Sequence, residues 1–289
     1  MPDSWRTSIG SVGTEEVERA GLVLLAQAPS AASDQLDAVS KPVQDRVGTF
    51  FWGLLATGHL RYDRDGVQLT GANVGGRITV HQHASTPYIR RLDGIVTAQV
   101  SEKHLRHAAG LAAGRLTLSA RPDGRRVKLA LGTFLKAFSE NDLGQRIHQL
   151  VRVTCDGFTK EAGRNKFKEK ARLFVTSDAQ ADTCRELYLI RNNAEHFNTP
   201  PDRGLNPIPL RESLERAYRL AHQAESLARY CVSRFVDTPR LWPYWDNDDT
   251  VDEFWSLQEQ ERRRLWGAPF DLDAAVASFM GVTVPGESA

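Results

Sequence analysis

The stretch from Arg211 to Phe235 constrains the fold more than any other part of the chain. Leu214, Ala217, Tyr218, Ala221, Ala224, Ala228, Cys231, Val232 and Phe235 recur at spacings of three and four. That places them on one stripe of a long α-helix. A stripe so rich in alanine lets a partner helix approach closely, so the rest of the chain must supply helices that cover it. The upstream pattern does so. Ser139 and Asp142 give a cap signal, and Leu143, Ile147, Leu150, Val151 and Phe158 form the apolar stripe that follows. Ser177 or Asp178 caps a further helix with Cys184 and Leu187 on its face. Upstream of both, RPDGRRVKLALGTFLKAFSE has two readings. Alternating Val127, Leu129 and Leu131 suit a hairpin, whereas Val127, Leu131, Phe134 and Phe138 suit one face of a helix. The run continues unbroken through Phe138, which favours the helix.

The expected fold class is therefore mainly α. Residues 101–236 form a bundle of about four helices with 139–236 as its core, residues 1–100 form a mixed α/β region, and 237–289 form a helical extension. In the N-terminal region a short helix is expected around Glu15–Gln27, and the apolar run Phe50–Leu60 follows later. Asp65-Gly66 has the chemistry of a tight turn between strands. The sequence GGRITVHQHAS reads as a strand. GANVGG at Gly71–Gly76 lacks the lysine of a phosphate loop and reads as a bend in a sheet. Trp242, Tyr244, Trp245 and Trp255 are expected to pin the C-terminal piece onto the bundle.

Composition narrows the function. The 289 residues carry a net charge of +1, so no global field draws the chain to a polyanion, and any such partner needs a local patch. Cys155, Cys184 and Cys231 lie far apart and match neither a zinc spacing nor a disulfide framework. They read as small apolar core residues. AGLVLLAQA at Ala20–Ala28 is too short to span a bilayer and follows Glu15, Glu16 and Glu18, so a cytoplasmic protein without a membrane partner is expected.

The chemistry concentrates in ELYLIRNNAEHFNTPPD, Glu186 to Asp202. An apolar helix there turns polar at Arg191, Asn192 and His196, just before Pro200 and Pro201. Arg191 and His196 are five positions apart, roughly 500° of rotation, so their side chains diverge by about 140° on one helix. Either the helix ends between them or two copies of the chain share one site. Histidine can take or give a proton near neutral pH, and arginine presents a rigid fork that matches phosphate oxygens. Together they suit cleavage of RNA without a metal: imidazole as acid or base, guanidinium on the developing phosphate charge, Asn192 orienting either. The same residues also fit an ordinary helix end. His196 then complements the helix dipole and Arg191 pairs with Glu195.

The string Arg191-Asn192-x-x-x-His196, at the end of a helix and followed by a further long helix, resembles the signature of HEPN domains. NDLGQRIHQLVRVTCDGF looks like the first core helix of bacterial members of that family. The resemblance covers roughly residues 139–236, about a third of the chain. It implies a four-helix HEPN-like bundle that dimerises and brings two motifs to one cleft. It implies Arg191 and His196 as catalytic residues, with Asn192 assisting, in a metal-independent endoribonuclease without cofactor. Such enzymes occur in toxin–antitoxin pairs and phage defence, so RNA, a second copy and an antitoxin or defence-system protein are the implied partners. Other members are non-catalytic modules that bind proteins or nucleotides.

Further candidates are weaker. Lys160, Arg164, Lys166, Lys168, Lys170 and Arg172 stand against Glu161 and Glu169, a basic strip that suits either an RNA backbone or a solvated helix face. Lys166, Lys168, Lys170 and Arg172 are its candidate RNA contacts. Arg125, Arg126 and Lys128 form a second cluster. His81 and His83 share a face if their strand is regular, but no acid or thiol lies close enough in sequence to complete a metal set. His104 and His107 carry the same reservation, and no metal site is expected. His148, between Arg146 and Arg152, reads as a partly buried or surface histidine.

Overall fold

Capping and apolar spacing set the helices of this chain, which is mainly helical. The computed structural model describes residues 3–20, 23–26, 36–58, 67–74, 77–85, 100–140, 142–161, 163–195 and 210–280. They fall into two units, Met1–Phe51 with Tyr62–Ile89 and Trp52–Arg61 with Arg90–Ala289.

The first unit contains α1 (Asp3–Arg19), most of α2 (Leu36–Thr57) and an antiparallel pair, β1 (Val67–Val74) and β2 (Arg77–Ser85). Helix α1 ends well before Gln27, and Val23 and Leu25 beyond it are exposed. The apolar run AGLVLLAQA thus suggests more helix than its burial supports. Gly10, at φ 78, kinks α1. The expected Asp65-Gly66 turn lies outside the described residues.

The second unit begins with the end of α2, where Trp52, Leu54, Leu55 and Ala56 are buried. Gly53 packs directly against the Ala108 carbonyl of α3 (Glu102–Ala120), where a Cβ would overlap it. The ambiguous segment is helix α4 (Arg125–Ala137), entered through Gly124 at φ 80. Val127, Leu131, Phe134 and Phe138 are all buried, as the helical spacing requires. Phe134 meets Phe138 and Trp52 edge-on at 5.0 and 6.1 Å. Each such ring contributes about 1.5–3 kcal/mol by leaving water.

Helix α5 (Leu143–Arg152) starts where the Asp142 carboxylate accepts the Gln145 amide at 2.8 Å. It passes without a break into a π-helical turn, Val153–Thr159, closed by Lys160 in the left-handed region at φ 55. Gly157 permits that turn, because a Cβ there would lie 2.6 Å from the Ala130 Cβ of α4. The wider turn keeps Cys155 and Phe158 buried while Asp156 stays half-buried. After α6 (Arg164–Ala171), Ser177 caps α7 (Asp178–Glu195) by accepting the Gln180 amide. Helix α8 (Leu210–Val236) is buried continuously from Leu220 to Ala228 and packs against α3, α5, α7 and the π turn.

A 3₁₀ segment (Pro239–Trp245), α9 (Asp248–Ser256), α10 (Glu259–Trp266) and α11 (Leu272–Met280) complete this unit. Three indole N–H groups anchor it as the sequence suggests: Trp242 to the Phe235 carbonyl, Trp245 to Gly157 and Trp255 to Phe158, at 2.9–3.1 Å. Trp245 and Trp266 join Phe158, Phe174, Phe235 and Phe254 in one aromatic cluster. No helix among the described residues is long and apolar enough to cross a membrane.

Candidate functional site

Helix α7 buries Ala181, Cys184, Leu187 and Tyr188. Seven residues beyond Cys184, roughly 700° of rotation, Arg191 returns to within about 20° of the same stripe. The sequence suggests an arginine at the rim. The structure turns it inward instead, with its side chain 11% exposed. A guanidinium so placed needs an anion, and Asp156 on the π turn supplies it. Arg191 Nη2 donates to Asp156 Oδ1 and Oδ2 at 3.2 and 3.4 Å. Arg152 Nε, one turn before Asp156, donates to the same carboxylate at 3.0 Å. The acid therefore sits between two guanidiniums. Tyr188, beneath Arg191, places its ring 5.4 Å from the guanidinium carbon. Asn192 is half-buried, and His196 lies outside the described residues.

His148 is buried on α5, and its Nδ1 lies 3.1 Å from the Arg191 carbonyl oxygen. A carbonyl only accepts, so Nδ1 carries the hydrogen in this contact. The ring thus holds the α7 backbone at Arg191 from behind.

The basic strip is largely matched by acids. Lys168 pairs with Asp182 at 2.6 Å, Lys170 with Glu161 at 2.6 Å, Arg172 with Asp178 at 2.9 Å and Lys160 with Asp252 at 2.7 Å. Lys170 also lies over the Trp255 ring. Lys166 is exposed, with no ion pair among the described residues. The positive run in sequence is therefore much weaker as a surface field, because its counter-charges come from α7, α9 and the turn before α6. Arg126 of the second cluster is likewise bound to Asp248, with Nη2 at 2.6 Å.

The described residues contain no group of histidines, thiols and carboxylates able to hold a metal ion. On the backbone, His81 is the unmatched residue of a bulge opposite Thr70 and Gly71. The alternation that would give His81 and His83 one face is interrupted there. His104 Nδ1 accepts the Ser101 amide and closes a capping box, and His107 pairs with Asp237 at 2.7 Å. All three cysteines are buried. Burial pushes the thiols of Cys155 and Cys184 up to about 12, and that of Cys231 well above its usual value, so none is a ready nucleophile.

One buried charge cluster escaped the sequence reading. Glu225 on α8 accepts from Arg146 Nη2 and Arg229 Nη2, each at 2.6 Å. Both guanidiniums lie over Phe138, at 5.3 and 4.7 Å. Burial by itself would raise the Glu225 carboxyl. The charges of Arg229 and Arg146 outweigh it and hold the group down at about 2. Its available signal was Glu225 and Arg229 four apart inside an alanine-rich stripe.

Comparison with models of protein families, with curated proteins and with solved structures finds no match to this chain.

Proposed function

We propose that this chain is a metal-independent endoribonuclease of HEPN type, acting in the cytoplasm in phage defence or as part of a toxin–antitoxin pair. The observation that carries the reading is the place of Arg191 and Asn192 within the last two turns of α7, which ends at Glu195 beside His196. Helices α5 and α8 pack against α7. In this reading His196 deprotonates the ribose 2′-OH or protonates the departing 5′ oxygen, and Arg191 stabilises the phosphate as charge develops. Asn192 orients one of the two. Because Arg191 continues the inward stripe of α7, a straight continuation would turn His196 about 140° away. A second copy of the chain then supplies the missing half of each site.

Wild-type protein is expected to cut single-stranded RNA in EDTA, and His196→Ala to keep its circular dichroism while losing cleavage. Equal cutting by the variant, or none by wild type, refutes the enzyme. The pairing of Arg191 with Asp156 also favours a second reading, a non-catalytic module that binds a protein or nucleotide. Stable binding without any cleavage selects it.

A further inference from the structure

We infer that Arg152 and Arg191 form a phosphodiester-binding subsite whose resident anion is Asp156, and that a phosphate of single-stranded RNA displaces this carboxylate. The choice of RNA as ligand rests on the ribonuclease reading.

Both guanidiniums reach one carboxylate, Arg152 Nε at 3.0 Å and Arg191 Nη2 at 3.2 Å. A phosphate group presents oxygens that can take the same two donors. Access separates this cluster from the Arg146–Glu225–Arg229 cluster. There the acid is closed inside the bundle, whereas here the Asp156 and Arg152 side chains are 36% and 44% exposed. Only Arg191 is sequestered, so an arriving anion meets Arg152 first and Arg191 behind it. Asp156 belongs to a π turn, where an extra residue re-aims side chains without breaking the helix, a device common at functional sites. The turn itself is held from behind, because Arg126 Nη1 donates to the Asp156 main-chain carbonyl at 2.5 Å. The carboxylate can therefore swing away while its backbone stays fixed, leaving two positive charges for the ligand. Asp156 is in this account a positioning residue that keeps Arg191 aimed and masked until substrate arrives.

The test measures binding of an end-labelled, unstructured single-stranded RNA by fluorescence anisotropy over a salt series. It is done in a His196→Ala background so that the RNA stays intact. Asp156→Asn is expected to bind about three- to tenfold more tightly with an unchanged salt slope, because the same phosphate is held and only the competing carboxylate is gone. Arg152→Ala is expected to bind more weakly, with a slope shallower by about 0.7 and an unchanged melting temperature. A merely structural aspartate would not tighten binding. Asp156→Asn that folds and binds equally or more weakly overturns the inference, as does a parent that binds no RNA. If Asp156→Asn fails to fold, Arg152→Ala decides, and unchanged affinity rejects the subsite. Cleavage is read separately: wild type that cuts RNA while these variants bind alike rejects the subsite and spares the nuclease.

Discussion

Replacing Glu225 by glutamine keeps the side chain's volume and removes the anion between two buried guanidiniums. Arg146 and Arg229 each approach it to 2.6 Å, with their side chains 4% and 11% exposed and their guanidiniums over Phe138. Removing one partner of a buried ion pair costs about 3–5 kcal/mol, because the remaining charge stays desolvated. For a unit of this size each kcal/mol lowers the melting temperature by about 2–4 °C, so Glu225→Gln should melt about 6–20 °C below wild type at neutral pH. The pH dependence has a definite sign. The folded carboxyl is held at about 2, below its usual 4.5. Its contribution is fully present above the unfolded value and disappears as pH falls through the folded one. The gap between wild type and Glu225→Gln should therefore be widest at pH 7 and close as pH approaches about 2, where wild type carries a neutral acid at this position. Urea unfolding followed by tryptophan fluorescence at pH 7, 5 and 2.5 measures it. A gap below about 1 kcal/mol at pH 7, or one that does not narrow with acid, refutes the reasoning.

Two further outcomes follow from packing. Gly157→Ala forces a methyl group to within 2.6 Å of Ala130 Cβ, so α4 and the π turn must separate, at a cost of about 1–3 kcal/mol in the unfolding midpoint. A variant as stable as wild type would show that the contact relaxes freely. The thiols of Cys155, Cys184 and Cys231 should resist a disulfide reagent in the native protein and react in full after guanidinium is added. Rapid reaction of any one in the native state contradicts the burial assigned to it.

Local patterns carried much of the fold. Asp142 and Ser177 announce their helices because a cap is a short-range contact between a side chain and amides two or three residues on. The Val127–Phe138 spacing decides helix over hairpin in α4, and the tryptophans after Asp237 reveal an anchored segment. The candidate site was less legible. Polarity at the end of α7 suggests an exposed rim, yet rotation from Cys184 carries Arg191 into the bundle, where burial is tolerated through Asp156. That partner is 35 positions away and is aimed by a π turn, which no simple periodicity marks. The Arg146–Glu225 pair joins two helices across 79 positions, which no local pattern marks either. In the strip from Lys160 to Arg172 much of the positive charge is met by acids from elsewhere in the chain. Sequence counts charges along one segment, whereas the surface field includes Asp178, Asp182 and Asp252 from neighbouring helices.

The central claim is that Arg191 and His196 cleave RNA without a metal, and the ends they leave test it most directly. Wild type and His196→Ala are incubated with a mixed RNA pool in EDTA, and the products are mapped by their terminal groups. The account predicts 2′,3′-cyclic phosphates with matching 5′-hydroxyls from wild type and none from the variant. Products bearing 5′-phosphates, activity that returns only with a divalent metal, or equal cleavage by His196→Ala would contradict it.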